Sequence, residues 1–164
     1  MPQFSRISAP MPPEPLATGT LVRIYSVDDD GGTYGYVVPP LNGFQIAGPG
    51  ETLEILGGVL DDRFRTNLAL VDTAGFPNGQ TQRVRVEIFE SGGARIDSFE
   101  AQVPNAGGVQ LNDVFNARGI QRATPAPVLI RISPAGGSIG AFAAMVDNKT
   151  NDPLYLGAAL GAQE

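Results

Sequence analysis

The stretch RVRVEIFE (83–90) alternates apolar and charged side chains more regularly than any other part of the chain. Val84, Val86 and Ile88 fall on one side of an extended strand, because successive side chains of a strand point to opposite sides. This period of two predicts a strand with one buried face. The turn sequence SGG and a second extended run, RIDSFEAQV (95–103), follow directly, so the sequence predicts a β-hairpin here.

Extended segments recur on both sides of this hairpin. Short apolar runs separated by Gly, Pro, Asn and Asp predict further strands at 21–27, 33–38, 51–56, 64–72, 129–133, 139–147 and 154–156. One segment, VQLNDVFNARG (109–119), is predicted to hold a helical turn that Asn112 or Asp113 caps and Gly119 ends. Its apolar pair, Val114 and Phe115, is expected to pack inward.

Composition supports an all-β protein. The chain has 164 residues, the length of one ordinary domain, and its 21 Gly and 14 Pro are spread between short apolar runs. Gly and Pro at such intervals are typical of the turns of a sandwich or barrel. The predicted fold is therefore an antiparallel β-sandwich of about seven to nine strands with one short helical turn near 112–119.

Charge and residue types exclude several function classes. The net charge is −6 and the 11 basic residues are scattered, which disfavours nucleic acid and anionic membrane surfaces as partners. The sequence has no His and no Cys, so it lacks the common base, metal ligand and nucleophile of enzyme sites. No carboxylate pair or Gly-rich phosphate loop stands out either, so we expect no enzyme activity. No apolar run reaches 18 residues and no leader is evident, so we expect no membrane insertion.

Three regions are expected along the chain. Residues 1–20 hold five prolines and predict an extended arm, with Phe4 and Ile7 as its anchors for assembly with a neighbour. Residues 21–156 form the β module, and 157–164 are expected to fray. LVRIYSVDDDGGTYGYVV (21–38) also aligns without a gap with LIRISPAGGSIGAFAAMV (129–146), which predicts two copies of one hairpin.

Four motifs occur in a fixed order: GGTYGYVVP (31–39), FRTNL (64–68), QLNDVF (110–115) and VDNKTNDPLY (146–155). On these motifs the chain resembles an all-β module found, often in tandem, in large secreted or surface proteins of environmental bacteria. The resemblance implies a β-sandwich, secretion or a cell-surface location, and a non-catalytic role. It also implies that 21–60 includes the end of a preceding repeat. Asp72 and Asn151 depart from the usual pattern of such modules.

Two oxygen-rich segments are candidate calcium sites. Asp147, Asn148, Asn151 and Asp152 lie in one loop that Pro153 closes, and their side chains are hard oxygen donors. The same residue types also bond their own backbone in Asx turns, and that alternative stays open. The run 28–30 (DDD) lacks the alternating acidic positions of an EF-hand and predicts a solvated turn.

Two polar or aromatic pairs lie on predicted strands. Tyr34 and Tyr36 share one side of a strand and are candidates for a small carbohydrate platform, with core packing as the alternative. Arg65 and Asn67 are expected to form a hydrogen-bonded brace to the 112–113 loop.

Two functions are therefore compatible with the sequence. The first is a non-catalytic extracellular structural or adhesion module that acts through protein contacts or self-association. The second is a carbohydrate-binding module that accompanies a secreted hydrolase.

Overall fold

A computed structural model describes residues 22–27, 31, 33–73, 79–120 and 125–162 of the chain. Most of these residues lie in extended strands, and 3₁₀ turns occur at Gly43–Gln45 and Asn116–Arg118. The strands of the described residues are β1 (Val22–Val27), β2 (Thr33–Val38), β3 (Ile46–Ala47), β4 (Leu53–Leu60), β5 (Phe64–Asp72), β6 (Gln82–Glu90), β7 (Arg95–Val103), β8 (Gly108–Leu111), β9 (Ala126–Pro134), β10 (Ile139–Asp147), β11 (Pro153–Gly157) and β12 (Ala159–Leu160).

Two five-stranded antiparallel sheets pack on each other, as predicted for an all-β sandwich. The first, here called the β9 sheet, has the order β12-β4-β9-β6-β7. The second, the β10 sheet, has the order β11-β10-β5-β8, and β3 also pairs with β10. β1 and β2 form a separate two-stranded sheet, and β2 lies beside β11.

The core lies between the two sheets and follows from the alternation of the strands. Val84, Val86 and Ile88 on β6 are completely buried, which confirms the prediction from 83–90. They share the core with side chains from both sheets, among them Leu53, Ile55, Ile130, Ile132, Leu68, Leu70 and Ile139. Burying each such side chain contributes about 1.5–3 kcal/mol to folding, so this layer is the main stabilising element of the sandwich.

The predicted second hairpin is wrong. β9 pairs with β4 and β6, whereas β10 pairs with β5, β11 and β3, so residues 135–138 carry the chain from one sheet to the other. β1 and β2, in contrast, pair with each other from Val22↔Val38 to Val27↔Thr33. Local alternation shows which side of a strand is buried, but it does not show which strand is its neighbour.

Three short strands, β3, β8 and β12, lie outside the strands predicted from sequence. β8 occupies the start of the segment predicted as helical, and the helical part is limited to Asn116–Arg118 before Gly119, which has φ 69°. Val114 and Phe115 are buried as predicted, but neither Asn112 nor Asp113 caps the turn. Near the C-terminus, β12 pairs with Leu53 and Glu54, so residues 159–160 form a sheet edge where fraying was expected.

Replacing Ile130 by Ala is expected to lower the free energy of unfolding by about 2–5 kcal/mol, because it opens a cavity in a fully buried layer. Ile130→Val should cost about 1 kcal/mol at the same site. Chemical denaturation measures both, with the exposed Arg83→Ala as the control, for which we expect a change within about 0.5 kcal/mol. Equal losses for Ile130→Ala and Arg83→Ala would contradict the described core.

Candidate functional site

The loop after β10 is closed by an arginine. Asp147 is 6% exposed, and its Oδ2 accepts a hydrogen bond of 2.9 Å from Nε of Arg63. Its Oδ1 accepts hydrogen bonds from the backbone N–H groups of Lys149 at 2.8 Å and Thr150 at 3.4 Å. The Lys149 amide bond and the Arg63 guanidinium hold the pKa of the Asp147 carboxyl below its usual range. Asp147 therefore forms an Asx turn and an ion pair.

A second arginine crosses the same loop. Arg65 donates from Nη1 to Oδ1 of Asn148 at 2.8 Å and from Nη2 to Oδ1 of Asn151 at 3.3 Å. Asn148 in turn donates through Nδ2 to the carbonyl of Asp62 at 3.0 Å. The predicted brace from Arg65 to the 112–113 loop is therefore wrong, and Arg65 holds the β10–β11 loop instead.

The four predicted calcium ligands do lie together, but their described bonds are those of a braced turn. The Asp152 carbonyl accepts the Asp147 N–H at 3.0 Å, and Asn151 has φ 58°, which Asn tolerates better than most residues. A cation in this loop would have to displace guanidinium groups from Asp147, Asn148 and Asn151. Within the described residues, no three His, Cys, Asp or Glu side chains are grouped as a metal site.

Asn67 forms the predicted brace to the 112–113 loop. Its Oδ1 accepts the backbone N–H of Asp113 at 2.9 Å, and the adjacent Thr66 carbonyl accepts the N–H of Val114 at 2.8 Å. Asp113 has φ 45°, so these bonds stabilise a conformation that is unfavourable for Asp alone. The brace connects β5 to the buried Val114–Phe115 pair.

A cleft of about 190 Å³ opens beside these loops at the end of the sandwich. Its lining combines apolar residues, Leu60, Phe64, Phe115 and Ile120, with three acidic residues, Asp61, Asp62 and Asp113. Asp61 accepts the Arg63 N–H at 3.0 Å, and Asp113 accepts from the Asn116 side chain at 3.2 Å. Two of the three carboxylates thus stabilise their own turns.

Aromatic rings gather on the outer surface of the β10 sheet. Neighbours of Phe142 on β10, such as Ala141 and Ala143, point into the core, so Phe142 points outward. Its ring centroid lies 5.6 Å from that of Tyr155, whose hydroxyl oxygen is 3.3 Å from Nε2 of Gln45. This group was not predicted, because Gln45 lies 110 positions from Tyr155 and the ring contact depends on the register of β10 and β11.

Tyr36 lies near Tyr155 of this aromatic group. It is half-buried, and burial raises the pKa of its hydroxyl above the usual range, with a further contribution from Tyr155. The side chain of its predicted companion, Tyr34, lies outside the described residues. Phe4 and Ile7, the predicted anchors of the arm, also lie outside the part that the structure describes.

The outer surface of the β9 sheet, here called the β9 face, carries an apolar row. Leu56, Leu129 and Phe89 occupy directly paired positions on β4, β9 and β6. Leu56 is 70% exposed, and the other two are partly exposed. Sequence reasoning missed this row because the pairing partners are set by long-range register, although Phe89 does follow the outward positions of 83–90.

A charged row runs beside the apolar row on the same strands. Glu54, Arg131 and Glu87 are direct cross-strand neighbours, and Arg131 Nη2 lies 2.8 Å from Glu54 Oε1. Glu87 Oε1 is in turn 3.1 Å from Arg85 and 2.8 Å from Arg95. The Arg131 guanidinium also lies 5.1 Å from the centroid of the Phe89 ring, which joins the two rows.

Comparison with protein-family models, with curated proteins and with solved structures finds no match to this chain. Among the described residues, no helix is long and apolar enough to cross a membrane.

Asp147→Asn is expected to lower the melting temperature at pH 7, because Asn removes the negative charge that faces Arg63. The pKa of Asp147 is lowered in the folded state, so its stabilising contribution is full above the unfolded value of about 3.9 and is lost as the pH falls through the folded value. The difference from wild type should therefore shrink below pH 4.

Thermal unfolding followed by circular dichroism from pH 7 to pH 2.5 measures this convergence. Asp152→Asn is the control, because the described hydrogen bonds of Asp152 come from its backbone. A difference between wild type and Asp147→Asn that is constant with pH contradicts the assigned ion pair.

Proposed function

We propose that this chain is a non-catalytic structural or adhesion module that acts through protein–protein contacts at the β9 face. The observation that carries the proposal is the apolar row of Leu56, Leu129 and Phe89 on the outside of a sheet. The resemblance to modules of secreted bacterial proteins supports an extracellular or cell-surface location.

The composition of the β9 face suits a protein contact. A row of apolar side chains at paired positions is contiguous, whereas exposed apolar residues on monomers are ordinarily scattered. The ion pairs lie along one side of the apolar row, and protein interfaces ordinarily combine apolar and polar groups. The charged groups include Arg85 and Arg131, and arginine is a residue type enriched at interfaces.

Size-exclusion chromatography with light scattering over a concentration series tests this function. We expect wild type to exceed the mass of the 17.2 kDa chain as concentration rises. Leu56→Lys should weaken association at least tenfold, because it places a charge in a row whose burial is worth about 1.5–3 kcal/mol per side chain.

Leu154→Lys is the matched control, because Leu154 is 53% exposed but lies on β11 of the other sheet. It should leave association unchanged. A wild-type mass of 17.2 kDa at every concentration, or equal effects of the two lysines, would overturn the proposal.

A second candidate function, carbohydrate binding, is supported by the aromatic group on the β10 sheet. Phe142, Tyr155 and Tyr36 are partly exposed, and the Gln45 amide lies beside the Tyr155 hydroxyl. Sugar rings bind to such surfaces by stacking on aromatic faces while amides bond their hydroxyl groups.

Tyr155→Ala should reduce binding to any glycan that wild type retains on a glycan array by at least tenfold. Phe89→Ala removes an aromatic ring from the opposite sheet and should leave glycan binding intact. Retention of binding by Tyr155→Ala, or its loss in Phe89→Ala, contradicts this second function.

A further inference from the structure

We infer that the β9 face pairs with the β9 face of a second copy of this chain across a two-fold axis. This pairing rests on the proposed function and specifies its partner. The axis lies between the two faces, runs parallel to the strands and passes between β9 and β6.

The alternation of charge across the strands carries this inference. From β4 through β9 to β6 the charged row reads Glu54, Arg131, Glu87, and the paired position on β7 is the uncharged Ser98. The signs are thus negative, positive, negative, neutral. When this row faces its own reverse about an axis between β9 and β6, Arg131 meets Glu87 in both directions and no like charges meet.

A two-fold axis parallel to the strands makes that reversal. It inverts the order of the strands but keeps each row at the same height along them, so each row meets its own reverse. Arg131 then faces Glu87 of the second copy, and Glu87 faces its Arg131. Leu129 and Phe89 face each other in the same way, and Leu56 faces the position of Arg95 on β7.

An axis centred on a strand places like charges together. Centred on β9, for example, it sets Arg131 on Arg131 and Glu54 on Glu87, and like-charge contacts across an interface cost several kcal/mol. An axis between β4 and β9 pairs Glu54 with Arg131, but it sets β6 on the two-residue strand β12 and leaves β7 outside the contact. The charges and the overlap of four full strands therefore select the axis between β9 and β6, while the apolar row supplies most of the affinity, since the charges are already paired within each copy.

The net charge of the β9 face also favours the β9 face of a second copy as its partner. The outward positions of β4, β9, β6 and β7 carry one more positive than negative charge, four arginines against three glutamates: Arg83, Arg85, Arg95 and Arg131 against Glu54, Glu87 and Glu100. The whole chain has a net charge of −6, so two copies repel less through this face than through the rest of their surface.

The face is large enough for a weak dimer. Four strands about 4.8 Å apart and eight to nine residues long, at about 3.4 Å per residue, cover roughly 600 Å². That area is at the low end of specific interfaces, about 600 Å² for each partner. Twisted sheets of the same hand stack well in this manner, as in the sandwich itself.

Two complementary single variants test the register. Arg131→Glu places a glutamate opposite Glu87 of the second copy, and Glu87→Arg places an arginine opposite Arg131, so each variant alone should associate at least tenfold more weakly than wild type. An equimolar mixture restores opposite charges at both contacts, and light scattering should show a 1:1 pair at twice the chain mass. Asp152→Arg, in the loop after β10, is the charge-change control and should associate as wild type does.

The outcomes separate the two proposals. Circular dichroism first confirms that each variant is folded, and mixing cannot repair a fold, so recovery on mixing reports contact between copies. If Leu56→Lys abolishes association but the mixture recovers nothing, the protein-contact function stands and the two-fold register is overturned. If wild type does not associate at any concentration, the protein-contact function and the two-fold pairing are both overturned. If deletion of residues 1–18 abolishes association and no variant of the β9 face weakens it, the arm makes the contact and the inference is overturned.

Discussion

The register of β9 between β4 and β6 is the constraint on which the rest of the structure depends. Ile130 and Ile132 point into the core and are fully buried, whereas Leu129 and Arg131, which alternate with them along β9, point outward. A slip of one residue would exchange these two sets, because side chains alternate with a period of two. The hydrogen bonds of β9 with β4 and β6 therefore determine which side chains form the core and which form the β9 face. A change of register would alter both sets of side chains.

The ends of the sandwich depend on polar bonds instead of apolar burial. Arg63 and Arg65, at the start of β5, hold the loop after β10, and Asn67 holds the loop that leads to Phe115. Arg63 bonds the Asp147 carboxylate, Arg65 bonds two side-chain amides, and Asn67 accepts a backbone N–H, so polar groups fix both loops. The oxygen-rich segment 147–152 thus forms hydrogen bonds and an ion pair that fix the loop after β10, and a cation would have to break these bonds.

The fold was largely predictable from sequence, and the functional surface was not. Alternation and turn residues located nine strands, because both signals are local. The two-residue strands β3 and β12 are too short for a period to be detected, and β8 lies in a segment whose Asn112 and Asp113 suggested a helix cap. Leu56, Leu129 and Phe89 are separated by at least 33 positions in sequence, so their row exists only once the register of three strands is known. The brace from Asn67 to the 112–113 loop was predicted correctly. Arg65 instead bonds Asn148 and Asn151, in the loop that was predicted as a calcium site.

Nuclear magnetic resonance on dilution tests the central claim most directly, and a chain of 17.2 kDa is suited to it. Backbone amide shifts are recorded from high to low concentration and assigned to residues. The account predicts concentration-dependent shifts centred on Glu54, Leu56, Glu87, Phe89, Leu129 and Arg131, with the β10 sheet unchanged. Shifts centred on the β10 sheet or on residues 1–20, or no shift at any concentration, would contradict it.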